Sequence, residues 1–212
     1  MTGTDDLRYM GLALALARGQ LGRTAPNPAV GCVLVRDGRI LATGATADGG
    51  RPHAERIALD RAGDGARGAT AYVTLEPCAH HGQTPPCALG LIEAGAARVV
   101  VASPDRYVQV DGRGVAMLRD AGIDVVEGTG RREAEWLYAG FFHRLETGHP
   151  LVFADRARRG YEAVLEPVAD EGLEAALTAL GRAGISRARV EPGSEFAERL
   201  LARGLAVRPG HS

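Results

Sequence analysis

Between His53 and Cys87 the chain reads His53-Ala54-Glu55 and then Glu76-Pro77-Cys78-Ala79-His80-His81-Gly82-Gln83-Thr84-Pro85-Pro86-Cys87. One imidazole and two thiols are the ligand set of a tetrahedral zinc that keeps one position open. A closed structural site needs a fourth protein ligand, so three point to a catalytic metal. A carboxylate two residues after the histidine, followed later by Pro-Cys, is the pattern of zinc-dependent deaminases. In that chemistry Glu55 is no ligand: it takes a proton from the activated water and delivers protons to the ring nitrogen and the departing amine. Taken singly these residues say little, because His-x-Glu is common and a cysteine in a reduced chain is usually an inert buried side chain. Together they carry weight, since His53, Cys78 and Cys87 each fall where a helix could begin. Helix N-termini favour thiolate over thiol.

Composition limits the alternatives. The apolar share is 45% and the charged share 24%, as in globular proteins. No apolar run approaches the ~20 residues of a membrane span. The start, Met1-Thr2-Gly3-Thr4-Asp5-Asp6, is acidic and lacks the basic region of a secretory signal. Three cysteines are too few for a disulfide scaffold and fit a reducing cytoplasm. A net charge of -1 argues against a polynucleotide substrate. The 25 basic residues are all arginine, which excludes Schiff-base chemistry on a lysine.

Outward from the motif, the pattern predicts alternating strands and helices. Asp5 to Arg18 reads as an amphipathic helix with Thr4 as N-cap. Thr24-Ala25-Pro26-Asn27-Pro28 is an extended loop that presents Asn27. Ala29–Arg36 and Arg39–Thr46 flank Asp37-Gly38, the dipeptide of a type I′ hairpin; Cys32 falls mid-strand and reads as core. A helix over residues 52–62 carries His53 and Glu55 in its first turn. Strands follow at 69–75, 98–102 and 123–126, with helices from Cys87 to Gly95, at 114–121 and at 131–146. The last helix carries Trp136, Tyr138, Phe141 and Phe142, a core or dimer-interface cluster. This describes a three-layer α/β/α sandwich over residues 1–147. Residues 148–212 read as a small α/β appendage, with strands at 150–154 and 187–190 and helices at 173–183 and 195–202.

The chain resembles the pyrimidine deaminase domain of the bifunctional riboflavin-biosynthesis deaminase/reductases, within the cytidine-deaminase-like superfamily. The resemblance covers roughly residues 7–147. It rests on Thr24 to Cys32, Pro52-His53-Ala54-Glu55, Thr74-Leu75-Glu76-Pro77-Cys78 and Thr84-Pro85-Pro86-Cys87, with eight residues between the cysteines. It implies hydrolytic deamination of a phosphoribosylaminopyrimidine with release of ammonia. One zinc would be held by His53, Cys78 and Cys87, and Glu55 would shuttle protons. Asn27 and His80 look like substrate contacts, and Thr46, Gln83 and Ala54 join the same candidate substrate set.

Three departures stand out: Gln83 where the family has Lys or Arg, Thr46 where it often has His, and Asp105-Arg106-Tyr107-Val108 in place of Asp-Pro-Asn-Pro. If the missing groups hold a ribose phosphate, each lost charge-assisted hydrogen bond is worth about 1.5–3 kcal/mol. Arg106 or Arg51 is a possible replacement. The appendage resembles a truncated remnant of the reductase domain, in Pro150-Leu151-Val152 and in residues 189–205; it lacks the nucleotide-binding middle, so neither NADPH nor reductase activity is expected. Three functions remain open on sequence grounds: the riboflavin-pathway deaminase, the same chemistry turned to another amino-heterocycle or amidine in specialised metabolism, and a non-catalytic zinc-stabilised subunit. Glu55 speaks against the third. The expected partners are a small-molecule substrate and water, with a homodimer or higher homo-oligomer as the assembly; no nucleic acid or membrane is expected.

Overall fold

The computed structural model describes residues 3–80, 85–106 and 112–209, and the chain divides into two compact units. The first comprises residues up to Gln20, Ala29–Ala47 and Arg51–Leu137. Its elements are α1 (Gly3–Gly19), β1 (Gly31–Arg36), β2 (Arg39–Ala45), α2 (Ala54–Ala62), β3 (Thr70–Leu75), α3 (Cys87–Glu93), β4 (Arg98–Ser103), α4 (Arg113–Asp120), β5 (Asp124–Glu127) and the start of α5 (Arg131–Thr147). The five strands run in the order β2-β1-β3-β4-β5. β1 is antiparallel to both β2 and β3, whereas β3, β4 and β5 are parallel.

The hairpin turns as its sequence demands. Asp37 (φ 53°) and Gly38 (φ 74°) both lie in the left-handed region that a type I′ turn requires. The three layers follow from two close approaches. A Cβ on Gly31 would lie 1.9 Å from the Ala13 carbonyl oxygen of α1, and a Cβ on Gly44 would lie 2.1 Å from the Ala54 carbonyl oxygen of α2. Gly44 pairs with Cys32, the strand neighbour of Gly31, and successive residues of a strand point to opposite faces. Therefore α1 covers one face and α2 the other, with α3 packed against α2 and α4. All six residues of β3 are buried, as a central strand covered on both sides requires. Two boundaries differ from the sequence reading: α1 begins at Gly3, so Thr4 lies inside the first turn, and α2 begins at Ala54, leaving His53 as the extended N-cap.

The second unit comprises Leu21–Pro28, Asp48–Gly50 and the chain from Tyr138 onward. It contains β6 (Leu151–Ala154), β7 (Ala163–Val164), α6 (Asp170–Arg182), β8 (Arg187–Val190), α7 (Glu195–Ala202) and β9 (Ala206–Val207). The sheet is parallel throughout, in the order β7-β8-β6-β9, and Val152, Leu177, Val190, Phe196 and Leu200 lie in its buried cluster. Its limits are not those drawn at residue 147. They fall inside α5, because a Cβ on Gly140 would lie 2.6 Å from the Ser186 carbonyl oxygen: this part of the helix packs on the strand that begins at Arg187. The loop at 21–28 belongs here for a similar reason. Arg144 donates from Nη2 to the Pro26 carbonyl (2.8 Å) and from Nε to Ser186 Oγ (3.0 Å).

Candidate metal centre and active site

Three elements of the first unit deliver the motif residues. His53 caps α2, Cys78 follows β3 after Glu76 and Pro77, and Cys87 opens α3 with Pro86 as its N-cap. Proline is preorganised for the edge of a helix, and helix starts leave backbone N–H groups free to face a thiolate. Cys87 N–H donates to Cys78 Sγ (3.3 Å), and Ala88 N–H donates to the Cys78 carbonyl (3.2 Å). The two cysteine segments are thereby latched together. His53 Nδ1 lies 3.3 Å from Cys87 Sγ and 3.9 Å from Cys78 Sγ. All three ligand atoms fall within 4.8 Å of one another.

This donor set suits zinc: two thiol sulfurs and one imidazole nitrogen, converging from residues far apart in sequence. The electrostatics agree. A hydrogen bond from the Cys87 thiol, assisted by His53, pulls the Cys78 pKa down to about 4, while the same pairing and burial push the Cys87 thiol up. His53 is raised, mainly through its hydrogen bond to Cys78. One cation at this point would relieve both thiols.

Glu55 sits in the first turn of α2 and is 3% exposed. Burial, then the charge on Cys78, pushes its pKa up to about 7, and its carboxyl hydrogen-bonds the Cys87 thiol. An acid titrating near neutrality beside the ligands can accept and return a proton within one cycle. Cys32, fully buried on β1, is kept a thiol by burial and by the charge of Glu55, so it stands behind that carboxyl rather than among the ligands. Sequence placed Cys32 in the core but gave no hint of this neighbour.

The remaining predicted contacts divide. Ala54 is buried, and its carbonyl sits against Gly44. Thr46 is 1% exposed and accepts the Val30 N–H on its hydroxyl (2.9 Å), so it bridges backbone where a substrate-facing group was expected. His80 is half-buried two residues after Cys78. Asn27 lies in the second unit, its side-chain amide donating to the Gly50 carbonyl (2.9 Å). Gln83, Tyr107 and Val108 lie outside the described residues, whereas Arg106 is exposed and Arg51 is near enough to His53 to oppose its protonation.

Residues 4–103 match the cytidine and deoxycytidylate deaminase zinc-binding region. The riboflavin biosynthesis protein RibD of Haemophilus influenzae is 52% identical over 149 residues, 70% of this chain and 40% of that protein; RibD of Escherichia coli is 54% identical over 148 residues, with the same coverage. The chain thus spans about two fifths of the length of these curated relatives. Among solved structures, a Thermotoga maritima diaminohydroxyphosphoribosylaminopyrimidine deaminase/5-amino-6-(5-phosphoribosylamino)uracil reductase matches with a TM-score of 0.84 at 28% identity, over 95% of this chain and 84% of that one. Acinetobacter baumannii RibD matches with a TM-score of 0.82 at 28% identity, over 100% and 89%. Ligand set, buried carboxyl, fold and relatives point the same way: residues 4–103 match the cytidine and deoxycytidylate deaminase zinc-binding region, and the chain is similar to RibD proteins in sequence and in fold.

Proposed function

We propose that this chain is a zinc-dependent hydrolytic deaminase that removes the exocyclic amine of diaminohydroxyphosphoribosylaminopyrimidine, or of a close relative, with no reductase activity of its own. The observation that carries the reading is the convergence of His53 Nδ1, Cys78 Sγ and Cys87 Sγ within 4.8 Å of one another, beside a buried carboxyl poised near pH 7. When bound, zinc supplies the Lewis acidity that makes water a nucleophile at neutral pH. His53, Cys78 and Cys87 would hold it. Glu55 accepts a proton from the attacking water and passes it to the ring nitrogen; it then assists proton delivery to the amine. A C–O bond forms, the exocyclic C–N bond breaks, and one water is consumed for each ammonia released. Asn27 and His80 are assigned to substrate contact, with Ala54 and Gln83 kept in the same set. The Thr46 hydroxyl accepts the Val30 N–H, so in this reading Thr46 braces backbone instead of meeting the substrate.

The second unit is read as a shortened reductase-type remnant without a catalytic role. The match to Acinetobacter baumannii RibD extends over the whole chain, whereas the sequence relatives align over 70% of it. Among the described residues no helix is long and apolar enough to cross a membrane, and we assign the enzyme to the reducing cytoplasm, where both thiols stay available. A homodimer or larger homo-oligomer would cover exposed Leu7 and Trp136.

The test is zinc content together with ammonia release from diaminohydroxyphosphoribosylaminopyrimidine. Stoichiometric zinc with release supports the reading, and a zinc-loaded protein that releases none overturns it. One observation favours a second reading, the same chemistry on an unphosphorylated amino-heterocycle in specialised metabolism: Gln83 stands where the family places a basic residue. Under the phosphorylated reading Gln83→Lys should tighten substrate binding by about tenfold or more; no change would favour the second.

A further inference from the structure

One carboxylate of the first unit is neither a ligand nor a shuttle, yet it accepts four backbone N–H groups beside the site. Glu76 follows β3 directly and is 3% exposed. Its Oε1 accepts the N–H groups of Gly114 (2.9 Å) and Val115 (3.2 Å), and its Oε2 those of Gly112 (3.1 Å) and Asp105 (3.3 Å). Two of these donors lie in the first turn of α4, and a third belongs to its N-cap residue, Gly112, which has no side chain to offer. Helix starts leave their first N–H groups without intrahelical partners and favour negative charge. Glu76 meets both needs from a different strand.

The contact continues toward the cysteines. A Cβ on Gly114 would lie 1.9 Å from the Pro77 carbonyl oxygen and 3.2 Å from Glu76 Oε1, so the α4 backbone rests directly on the peptide that precedes Cys78. The Cys78 carbonyl in turn accepts the Ala88 N–H, and its sulfur accepts the Cys87 N–H. Glu76, the α4 start, Pro77, Cys78 and the α3 start thus form one unbroken series of contacts.

We infer that Glu76 is a positioning residue for the metal centre: by clamping the first turn of α4 onto Pro77, it fixes where the Cys78 sulfur stands relative to Cys87 and His53. This rests on the zinc reading above. Partners one step behind a metal ligand usually affect metal affinity by 10–100-fold when they are changed. Glu76→Gln is isosteric, but its amide NH2 would confront N–H groups where an oxygen now accepts two of them, so the clamp loosens without a change of volume.

The experiment is zinc titration of the metal-free protein in competition with a chromogenic chelator, alongside the visible spectrum of the cobalt-substituted protein, which reports thiolate geometry. For Glu76→Gln the expected result is a 10–100-fold loss of zinc affinity and a shifted cobalt spectrum. Glu76→Asp, which keeps the charge but is shorter, should fall between. If Glu76→Gln lowers the thermal midpoint but leaves zinc affinity within twofold and the cobalt spectrum unchanged, Glu76 serves α4 alone and the inference is overturned. Should Glu76→Gln fail to fold, Gly114→Ala keeps the carboxylate and pushes on the same Pro77 carbonyl; unaltered zinc affinity there overturns it equally. Wild type that binds no zinc would sink the proposed function and this inference together, whereas wild-type zinc with unaffected variants sinks only this one.

Discussion

The two units bury charge in opposite ways. In the second, the buried Arg187 and the half-buried Glu162 are met by neighbours from the same unit. The Arg187 guanidinium lies 4.3 Å from the Phe153 ring centroid and 5.7 Å from that of Tyr161, with Nε donating to the Gly160 carbonyl (3.1 Å). Glu162 Oε2 accepts the backbone N–H groups of Ser186 (3.0 Å) and Arg187 (2.6 Å), while Tyr161 donates its hydroxyl to Asp155. Burial displaces Glu162 upward and Arg187 downward, each toward neutrality, as desolvation alone would. In the first unit Cys78 moves the other way, toward charge, while Cys87 and Glu55 are pushed toward neutrality around it. Groups driven apart at close range mark a place built for chemistry, and groups each quieted by a neighbour mark a frame. The same α/β layering therefore serves two purposes within one chain.

That contrast can be broken by substitution. The largest effect is expected at Glu55: Glu55→Gln should reduce ammonia release by about 10²–10⁴-fold while zinc content, measured by metal analysis, stays stoichiometric. Activity that persists would remove Glu55 from the shuttle. Next comes the core of the frame. Leu200→Ala, at a fully buried position of α7, should cost about 2–5 kcal/mol in denaturant unfolding of the second unit yet leave zinc affinity within twofold. A parallel loss of zinc would show that the two roles are not separable.

A smaller effect belongs to the first unit's own frame. Arg98 forks onto Asp6 (Nη1 to Oδ1 2.8 Å, Nη2 to Oδ2 2.9 Å), and Tyr72 donates to Oδ1 (2.8 Å). The guanidinium holds the Asp6 carboxyl below its ordinary value. An acid depressed in the folded state contributes stability that is present above its unfolded pKa, about 3.9, and is lost as pH falls through the lowered value. Asp6→Asn should therefore cost about 1.5–3 kcal/mol near neutrality and should flatten the acid limb of the stability curve. A variant whose acid limb matches wild type would rule that out. The smallest change is expected where charge is exposed. The Arg23–Asp48 pair (2.7 Å) is open to solvent, and Asp48→Asn should shift unfolding by no more than about 0.5 kcal/mol.

How much of this could be read beforehand depends on how local the physics is. Asp37-Gly38 announced its turn because left-handed φ is a property of two residues. The grouping of His53, Cys78 and Cys87 was legible because metal ligands are restricted to a few side chains at restricted spacings. The strands β3 and β4 showed as continuous apolar runs because both faces of each are covered. What stayed hidden depends on partners distant in sequence. Thr46 turns its hydroxyl to Val30 across the hairpin, Glu76 reaches residues 105–115, and Pro26 is tied to Arg144, 118 positions away. The two-residue strands β7 and β9 carry too few side chains to show a period at all. His53 was misplaced by a single step, inside α2 instead of at its cap, because helix ends are the least local part of a helix.

The fork between Asp6 and Arg98 joins positions 92 apart, which has a bearing on how the chain matures. During synthesis α1 emerges ahead of β4, so its acidic end has no Arg98 guanidinium to grip until β4 has followed it out. Until then α1 is docked by its apolar stripe and by the hydrogen bonds of Tyr9 and Tyr72, without the fork. Ribosome-stalled chains ending before Arg98 should therefore be cut by protease near Asp6 faster than chains long enough to have released Arg98 from the ribosome.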